Sequence, residues 1–568
     1  MYALALATDY DETLADHGTV TEDTLAAVVK FKESGRKLIL VTGRELPDLE
    51  RVFPEHDIFD RIVAENGALL YTPATKKERP LAPPPPQAFV ECLRRRGVVP
   101  LYVGRTIVAT LVPNETIVLE EIRRLGLELE IIFNKGAVMI LPSGVNKATG
   151  LAAALADLEL SPHNVVGIGD AENDHAFLRA VGYGVAVANA LPTVKQTADR
   201  TTLAARGAGV AELTGRILSR DAELMNTIRQ RVKVGTDAAG AISAISPYGG
   251  GMLIAGTSGI GKSTLAMLLI ERFVKKSYQF CVLDPEGDYE HLEDVVVVGD
   301  AETPPSVREI LDLLAKPANN VAVNMLGLKT DERPDYFAKL LPELASLRAR
   351  TGRPHWLVID EAHHLLPAAR VGDSFALPKE LPATILITVH PDLVSKDVLK
   401  TVDVVVGLGP EADQVFSAYS EAVGIDRPEG ITPLSEQQVL FWDRCSDRPA
   451  KPLNVDRPKQ ARKRHKRKYA EGDLGDNSFY FRGPEGALRL KAQNLMMFLH
   501  IAEGVDDATW EHHLRAGDYS EWFRDKVKDK KLAAEARSIE RNADLAPPES
   551  RAAIAEAVRQ RYTGTSLN

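Results

Sequence analysis

An apolar run, a glycine-rich loop and the start of an amphipathic segment follow one another at residues 253–266, which read LIAGTSGIGKSTLA. The loop matches the pattern G-x-x-x-x-G-K-[S/T], with a predicted strand before it and a predicted helix after it. In such a loop, backbone N–H groups and the helix N-terminus surround phosphate oxygens. The feature constrains the fold strongly, because it belongs at the carboxyl end of a strand in a mainly parallel α/β sheet.

The loop predicts a site for ATP and Mg²⁺. Lys262 is expected to reach the β- and γ-phosphates, and the Ser263 hydroxyl is expected to bind the ion. A glycine-rich turn without a ligand is the alternative, which the correct strand and helix flanks disfavour. The residues of the predicted nucleotide site are Gly256, Thr257, Ser258, Gly259, Ile260, Gly261, Lys262, Ser263, Thr264 and Asp360.

A later apolar run, HWLVIDEAHHLLP, ends in Asp360 and Glu361. Asp360 offers a water-mediated contact to Mg²⁺, and Glu361 offers a base that orients the attacking water. An Asp-Glu pair at this position favours ATP hydrolysis over phosphate transfer to a small molecule. The strand TILITVHPD would place Thr388 or His390 near the γ-phosphate, with a structural role as the alternative for His390.

An acidic turn, VLDPEGDY at residues 282–289, lies at the end of the first strand predicted after the phosphate-binding loop and its helix. With the two motifs above, it resembles the HerA/FtsK-type ATPases over about residues 245–425. The resemblance implies a RecA-like P-loop NTPase domain in a homo-oligomer, such as a hexameric ring, that moves nucleic acid or protein. Such rings take an arginine from a neighbouring subunit. The candidates are Arg348, Arg350 and Arg353, with solvated surface arginines as the alternative.

A second set of motifs begins with DYDET, which follows the first apolar run of the chain. Asp9 and Asp11 are two residues apart in an extended segment, so both carboxylates can face one pocket. A carboxylate nucleophile beside a second carboxylate can accept a phosphoryl group as an aspartyl-phosphate and then release it. Two bare carboxylates repel the phosphate, and a hard Mg²⁺ ion would relieve that repulsion.

Further polar residues fall at the ends of later strand-like runs. Thr42 in VTGR and Lys147 in GVNKATG are candidate phosphate ligands, whereas Asp170 and Asp174 in GDAEND are candidate metal ligands. A lone DxD is usually only a polar strand end. Strands that alternate with helices bring their carboxyl ends to one edge of a parallel sheet, so the four fragments together predict one site.

These motifs resemble the haloacid dehalogenase superfamily of the Cof-like type, with a cap between the second and third motifs, over about residues 1–222. The resemblance implies that Asp9 is the nucleophile and Asp11 the general acid/base, and that Thr42 and Lys147 bind the phosphoryl group. The implied Mg²⁺ ligands are Asp9, Asp11, Asp170 and Asp174, with Asn173 nearby.

The sequence departs from the family at one position and carries a short cap. Glu12 stands where glycine is usual, which adds negative charge near the predicted metal and predicts reduced activity. A proline run, PLAPPPPQ, precedes a mixed segment of helices and strands at about residues 82–140. This segment is the predicted cap, and a cap that closes over its substrate favours small phosphorylated metabolites over polymer ends.

The chain of 568 residues is long enough for about three or four domains. We expect an α/β fold with a Rossmann-like HAD core and a small α+β cap at 1–222, then a RecA-like P-loop NTPase domain at 223–455. A basic linker at 456–475 and a mainly helical domain at 476–568 follow. Phe498, Trp510, Trp522 and Phe523 are expected to form a small helical core rather than a platform for nucleic-acid bases.

Composition narrows the class of protein. The net charge of −10 argues against a surface that is basic all over, although the run of Lys and Arg at 459–468 could contact nucleic acid or serve as a solvated linker. The cysteines Cys92, Cys281 and Cys445 are far apart, which favours reduced thiols. No run approaches the roughly 20 apolar residues of a membrane span, so we expect a cytoplasmic protein without a membrane partner.

Three functions are compatible with these motifs. The first is a small-molecule phosphatase fused to an ATP-hydrolysing domain that acts as a translocase or regulates the phosphatase. The second is a kinase–phosphatase pair that acts on one substrate, as in polynucleotide end-healing. The third is a nucleotide-regulated binding switch. Glu361 beside Asp360, the acidic turn and the cap favour the first.

Overall fold

The computed structural model of the chain describes residues 1–568 apart from 135, 369–380, 382, 436, 447, 460–473, 475–476, 487, 528 and 563–568. The chain divides into two compact units, Met1–Gln460 and Ala461–Asn568. Of the basic run predicted at 459–468, only Lys459 lies within the described residues. None of the helices in the described ranges combines the length and the hydropathy that a bilayer span requires.

The first sheet contains eight strands among the described residues. They are β1 (Ala5–Thr8), β2 (Lys37–Val41), β3 (Arg61–Ala64), β4 (Leu69–Thr72), β5 (Lys77–Pro80), β10 (Val165–Gly169), β11 (Tyr183–Ala186) and β12 (Arg200–Thr201). Their order is β12-β11-β10-β1-β2-β3-β4-β5. The strands from β12 to β3 pair in parallel, so the carboxyl ends of β10, β1 and β2 lie side by side.

Helices cover this sheet, and their caps explain where two of them begin. They are α1 (Glu22–Glu33), α2 (Leu46–Val52), α5 (Lys147–Asp157), α6 (His175–Ala180), α7 (Pro192–Thr197) and α8 (Arg206–Met225). The Thr21 side chain accepts from the Thr24 N–H and starts α1. The Asn146 side chain accepts from the N–H groups of residues 148 and 149, which makes Lys147 the first residue of α5.

A smaller module is inserted between β5 and α5, where the sequence predicts the cap. It consists of α3 (Gln87–Arg95), β6 (Tyr102–Val103), β7 (Val108–Leu111), α4 (Glu115–Leu125), β8 (Leu129–Asn134) and β9 (Ala137–Pro142). The strands form an antiparallel sheet in the order β6-β7-β9-β8, and a separate small core lies between this sheet and the two helices. The cap is therefore α+β, as predicted.

The second sheet contains eleven strands in the part of the chain that the structure describes. They are β13 (Val232–Thr236), β14 (Ile242–Ile245), β15 (Gly251–Ala255), β16 (Phe280–Asp284), β17 (Val295–Val298), β18 (Asn320–Asn324), β19 (Trp356–Ile359), β20 (Thr384–Thr388), β21 (Val402–Leu408), β22 (Gln438–Asp443) and β23 (Lys451–Asn454). Their order is β14-β13-β23-β22-β21-β15-β20-β19-β16-β18-β17, and the strands from β21 to β17 are parallel. The predicted strands of this region all lie in that parallel part.

The described helices of the second α/β region lie between those strands in the chain. They are α9 (Lys262–Lys275), α10 (Val307–Ala315), α11 (Arg333–Thr351), α12 (Ala362–Leu365), α13 (Lys396–Lys400) and α14 (Ala412–Val423). Two apolar cores flank the sheet, one of which contains most of the buried face of α9. This two-sided burial explains the almost continuous apolar character of the parallel strands.

The second unit is mainly helical, as predicted. Its described elements are β24 (Phe479–Phe481), β25 (Leu490–Ala492), α15 (Leu495–Gly504), α16 (Asp507–Ala516), α17 (Asp518–Asp525), α18 (Lys530–Glu540) and α19 (Pro547–Tyr562). Phe498, Trp510, Trp522 and Phe523 are buried in one core, which confirms the interpretation as packing residues. The three cysteines of the chain are free thiols.

Candidate functional sites

The first candidate site is a buried cluster of three carboxylates and one lysine. Asp9 follows β1 and Asp170 follows β10, and these strands are parallel neighbours with Thr8 opposite Ile168. One oxygen from each of Asp9, Asp170 and Asp174 lies within 4.8 Å of the others. Lys147 Nζ donates to Asp9 Oδ1 and to Asp174 Oδ1, each at 2.6 Å.

Charge in this cluster is poorly balanced. Burial raises the pKa of Asp9 well above its ordinary value, Lys147 opposes the rise, and Asp174 and Asp170 add to it. Burial alone would lower the pKa of Lys147, but Asp174 and Asp9 raise it above its ordinary value. Asp9 and Asp174 thus share one ammonium beside a third buried carboxylate, Asp170, and the oxygen ligands of the three residues fit a hard divalent cation such as Mg²⁺.

Local hydrogen bonds fix the orientation of the cluster. Asp174 Oδ2 accepts from the backbone N–H groups of Asp170 and Ala171, at 2.8 and 2.9 Å. The Thr13 hydroxyl, which sequence reasoning missed, donates to Asp170 Oδ1 at 3.1 Å. Because Asp174 also accepts from Lys147, it holds both the lysine and the loop that carries Asp170.

Asp11 lies outside the carboxylate cluster and is held by Arg44. Arg44 Nε donates to Asp11 Oδ2 at 2.8 Å, and a terminal nitrogen of Arg44 donates to Asp11 Oδ1 at 2.6 Å. The Arg44 N–H donates to Thr42 Oγ1 at 3.1 Å, which ties the predicted acid/base to the predicted phosphate ligand. The arginine is the last residue of the VTGR motif and was not among the predicted site residues.

Glu12 occupies a backbone conformation that suits glycine, with a φ of 62°. Its Oε2 accepts from Arg206 Nε at 2.7 Å. Partial burial would raise the pKa of Glu12, but Arg206 and His17 lower it below its ordinary value. The extra negative charge expected at this position is therefore paired with a guanidinium.

Asn66, which sequence reasoning missed, connects Thr42 and Asn173 through hydrogen bonds. Asn173 Nδ2 donates to Asn66 Oδ1 at 3.0 Å, and the Asn66 N–H donates to the Thr42 carbonyl at 3.0 Å. Asn66 follows β3 in the stretch AENGA. The polar and glycine residues that follow this strand are the sequence feature that could have identified Asn66 as a site residue.

The second candidate site is the loop between β15 and α9. Gly256, Gly259 and Gly261 have φ angles of 156°, 82° and 112°, which side chains rarely adopt. Lys262 is buried, and its Nζ donates to the carbonyls of Gly256 and Thr257 at 2.9 and 3.1 Å. The lysine thus lies inside the loop, and Ser263 and Thr264 occupy the first turn of α9, as the motif predicts.

The acidic turn after β16 reaches the end of β19. Asp284 Oδ2 accepts from the Tyr289 N–H at 2.9 Å, and the Tyr289 hydroxyl donates to Asp360 Oδ2 at 3.1 Å. Burial, reinforced by Glu361 and Asp284, raises the pKa of Asp360 to about 7. Two motifs that are about 75 residues apart in the sequence therefore meet at one carboxylate because β16 and β19 are parallel neighbours.

Glu361 has a neighbour that sequence reasoning missed. His363 Nδ1 lies 3.6 Å from Glu361 Oε2 and 3.0 Å from Thr388 Oγ1, and the His390 N–H donates to the same hydroxyl at 3.1 Å. Burial, followed by the nearby His364 and His390, lowers the pKa of His363 to about 4. Thr388 thus connects the end of β20 to Glu361 through His363.

Two arginines considered as candidates for a neighbouring subunit's site lie elsewhere. Arg353 is 1% exposed and donates to the carbonyls of Glu159 and Ala315, at 2.9 and 3.1 Å. Arg348 donates to the carbonyls of Pro354 and His355, at 2.7 and 3.0 Å. Arg353 is buried and Arg348 is half-buried, and backbone carbonyl oxygens accept from both guanidinium groups, so neither is a solvated surface arginine. Arg350 is exposed.

Arg353 belongs to a contact between the two α/β regions of the first unit. His163 stacks on Tyr278 with ring centroids 3.9 Å apart, and the Tyr248 hydroxyl donates to the His163 carbonyl at 3.0 Å. His355 Nε2 lies 3.2 Å from Asn164 Oδ1. The two regions are thus joined by buried polar groups and aromatic rings, which no sequence motif indicated.

Two family models match the chain. Residues 6–105 and 119–213 match haloacid dehalogenase-like hydrolase, and residues 251–348 match the central domain of helicase HerA. Both matches agree with the resemblances found in the sequence. The first match covers the eight-stranded sheet and most of the cap, and the second covers β15 to β18 of the eleven-stranded sheet.

Relatives match the first region over nearly their whole length. A phosphoglycolate phosphatase of Methanothermobacter thermautotrophicus is 30% identical over 224 residues, which are 38% of this chain and 98% of that protein. A phosphoglycolate phosphatase of Methanopyrus kandleri is 33% identical over 35% of this chain and 94% of that protein. A haloacid dehalogenase-like hydrolase structure from Bacteroides thetaiotaomicron has a TM-score of 0.33 at 20% identity, covering 38% of this chain and 98% of that one.

The motifs at the ends of β1, β2 and β10 and the inserted cap agree with the match to the hydrolase family model. The strands of the first sheet and the buried Asp9–Lys147 pair lie in the residues that the hydrolase family model matches. The chain therefore belongs, through its N-terminal region, to the haloacid dehalogenase-like hydrolases, and it carries a HerA-type central domain after that region.

Proposed function

We propose that the chain is a bifunctional phosphohydrolase, with a Mg²⁺-dependent phosphatase site at Asp9 and an ATP-hydrolysing site at Lys262. The observation that carries the first activity is the buried Lys147, which bridges Asp9 and Asp174 at 2.6 Å each. This geometry supports the proposal, because a carboxylate oxygen of Asp9 lies beside a positive charge that can bind a phosphoryl group.

In the proposed reaction, a carboxylate oxygen of Asp9 forms a bond to phosphorus as the ester P–O bond breaks. Asp11 gives its proton to the leaving oxygen and later takes one from the water that attacks the aspartyl-phosphate, which releases phosphate and restores Asp9. Lys147 and Thr42 hold phosphoryl oxygens. Since Arg44 binds Asp11, the acid/base has to exchange this partner for the leaving group.

Mg²⁺ would supply positive charge to the phosphoryl oxygens when bound. Asp9 and Asp170 would hold it, with Asp174 contributing from its fixed position, because their oxygens lie within 4.8 Å of one another. The carboxylate of Asp11, predicted as a further ligand, is bound by Arg44 instead. We therefore assign Asp11 to proton transfer.

We propose a small phosphate monoester as the substrate, and 2-phosphoglycolate is the first compound to test. Relatives at 30 and 33% identity are named phosphoglycolate phosphatases. The cap supports this size class, because Met139 of β9 lies against the loop that carries Gly43. A polymer end would need that contact to open.

For the second site, we propose ATP hydrolysis with Lys262 on the β- and γ-phosphates, Ser263 and Asp360 on Mg²⁺, and Glu361 on the attacking water. His363 and Thr388 would orient Glu361, because His363 Nδ1 lies within 3.6 Å of its carboxylate and 3.0 Å of the threonine hydroxyl. We also propose that the chain assembles into a homo-oligomer, for which a hexameric ring is the candidate arrangement.

The purpose that we assign to ATP turnover is control of the phosphatase. The supporting observation is the buried contact between Asn164, which precedes β10, and His355, which precedes β19. A translocase that moves nucleic acid or protein is the second candidate, favoured by the match to the HerA central domain.

One experiment tests these proposals together. The γ-phosphate of labelled ATP is followed in an Asp9→Asn variant, with and without duplex DNA, while the unmodified chain is assayed for phosphate release from 2-phosphoglycolate with and without Mg²⁺. We expect free labelled phosphate and Mg²⁺-dependent hydrolysis of the ester. Label retained on an acceptor would mean that the second site is a kinase and not an ATP hydrolase. Faster ATP hydrolysis in the presence of DNA would favour the translocase.

A further inference from the structure

The segment that follows β3 is strained. Glu65, Asn66 and Gly67 have φ angles of 52°, 55° and 106°, so three consecutive residues occupy the left-handed region. For residues with a side chain this conformation costs roughly 1–2 kcal/mol each. Such strain persists where the surrounding structure enforces it, and it concentrates at functional sites.

The Glu65 carboxylate is the contact that explains the strain. It is 0% exposed, and its oxygens accept from the backbone N–H groups of Arg105, Thr106 and Ile107 at 2.8, 2.7 and 3.2 Å. The Thr106 hydroxyl donates to it as well, at 2.8 Å. These donors lie in the turn between β6 and β7 of the cap, whereas Glu65 belongs to the hydrolase core. Hydrogen bonds to an ionised carboxylate are roughly twice as strong as neutral ones.

The backbone around this contact is closely fitted. A Cβ atom at Gly104 would lie 2.9 Å from the Glu65 carboxylate, so the turn approaches the acid where a side chain would obstruct it. On the core side, the Glu65 N–H donates to the Arg44 carbonyl at 2.9 Å. Glu65 therefore connects the cap to the loop that carries Thr42 and Arg44.

The same sheet of the cap reaches the catalytic loops at a second point. A Cβ atom at Gly43 would lie 2.9 Å from Met139 Cε and 3.7 Å from Asn173 Nδ2. Met139 pairs with Ala109 of β7, the strand that follows the turn bound by Glu65. Because β7 and β9 are neighbours, the position of the turn and the position of Met139 over the site are linked.

We propose that Glu65 is a positioning residue that holds the cap closed over the phosphatase site, and that this contact sets the upper size limit of the substrate. The inference rests on the proposed phosphatase function. With Glu65 in place, Met139 lies against Gly43, the residue between Thr42 and Arg44, and limits the room beside the phosphatase site. Without it, the closed cap is less populated and substrate binding has to supply the free energy of closure.

The test is Glu65→Gln in the full chain. Glutamine keeps the volume but replaces one acceptor oxygen by an NH₂ group, which faces backbone donors that then lack a partner. The probe is p-nitrophenyl phosphate. We expect its KM to rise by about tenfold and kcat to change by less than about threefold, because apparent affinity falls with the fraction of closed cap. Esters too bulky for the closed cap should gain activity relative to it.

Hydrogen exchange provides a readout that does not depend on turnover. We expect the amides of residues 105–107 to exchange faster in Glu65→Gln, at least about tenfold, because their carboxylate acceptor is changed. Unchanged exchange at these amides together with unchanged KM would overturn the proposal. If the unmodified chain hydrolyses no ester at all, the proposed function fails while the exchange experiment still decides whether Glu65 holds the cap.

Glu78→Gln is the matched control. Glu78 Oε2 also binds the cap, accepting from Arg105 Nε at 3.1 Å, but both side chains of this pair are exposed to solvent. Exposed pairs contribute little, so KM and exchange should stay as in the unmodified chain. Should Glu65→Gln fail to fold, Thr106→Val is used instead, because it removes the hydroxyl that donates to Glu65. A KM of Thr106→Val equal to or below that of the unmodified chain would contradict the proposal.

Discussion

His355 and Asn164 meet at the contact between the two α/β regions, with His355 Nε2 3.2 Å from Asn164 Oδ1. The Gln279 N–H donates to His355 Nδ1, so the imidazole donates to Asn164 through Nε2. Asn164 precedes β10, which ends before Asp170, and His355 precedes β19, which ends before Asp360. One strand therefore leads from this contact to each site.

The first prediction concerns coupling through that contact. We expect ATP to change kcat/KM of the phosphatase by at least about fivefold, the lower end of usual coupling energies. Asn164→Ala should remove most of this effect while each site keeps its separate activity, because the substitution deletes the acceptor of His355 and leaves both sets of catalytic residues intact. The measurement is ester hydrolysis at fixed ATP concentrations. An exposed control, His291→Ala, should keep the response to ATP, and a full response in Asn164→Ala would contradict the prediction.

The second prediction separates charge from structure at the phosphatase site. Lys147→Met should lower the free energy of unfolding by about 3–5 kcal/mol, because it leaves the buried Asp9 and Asp174 without their cation. Asp9→Asn should cost much less, since it removes one of the repelling carboxylates. Urea unfolding of the first unit in the full chain measures both. Equal losses in the two variants would mean that Lys147 does not neutralise the cluster.

The third prediction concerns the nucleotide site. In an Asp9→Asn background, Lys262→Ala should reduce ATP hydrolysis by about a hundredfold or more, as expected for loss of a group that stabilises phosphoryl charge. Glu361→Gln should reduce turnover while ATP binding is retained, because it keeps the phosphate-binding loop. Release of γ-phosphate and equilibrium binding of labelled ATP are the measurements. Normal turnover in Glu361→Gln would assign the water-orienting role to another residue.

The fourth prediction concerns Glu12. Glu12→Gly should leave phosphatase kcat/KM within about threefold, because the glutamate is paired with Arg206 and does not add free negative charge at the carboxylate cluster. Relief of the left-handed backbone strain, about 1–2 kcal/mol, should outweigh loss of a partly exposed ion pair worth about 0–1 kcal/mol. The midpoint temperature of thermal unfolding should therefore rise in Glu12→Gly. A large gain in activity would instead show that Glu12 restrains the site.

The fifth prediction concerns pH. Burial, then the neighbouring His163, Arg353 and Arg348, lower the pKa of His355 well below its ordinary value of 6.5. As the pH falls below about 6.5, His355 therefore binds a proton in the unfolded chain but remains neutral in the folded chain. The stabilising contribution is fully present above pH 6.5 and is lost as the pH falls from there toward the folded pKa, by about 1.4 kcal/mol per pH unit.

Unfolding at pH 7.5 and 5.5 checks this sign. The difference in stability between the two pH values should be smaller in His355→Gln than in the unmodified chain, because glutamine does not titrate. His291→Gln, at an exposed position, should keep the original difference. Identical pH dependence in all three proteins would show that His355 is not the group that titrates on unfolding.

The sequence alone indicates the two α/β regions, and most of the residues that it proposes for each candidate site lie together in the structure. Glycine-rich and acidic motifs at strand ends can be read locally, because a strand that ends in polar residues places them at the edge of a parallel sheet whatever surrounds it. Asp9, Lys147, Asp170 and Asp174 were expected together for that reason, and they meet in one buried cluster.

The hydrogen-bond partner of each of these groups depends on the tertiary structure. Arg44 binds Asp11, Arg206 neutralises Glu12, and Glu65 holds the turn of the cap, although the partners are 33, 194 and at least 40 residues apart. Arg353, expected on the surface, is buried between the two regions. Hydrogen-bond partners so distant in sequence leave no local pattern, because their meeting depends on how the sheets, the cap and the connecting loops pack.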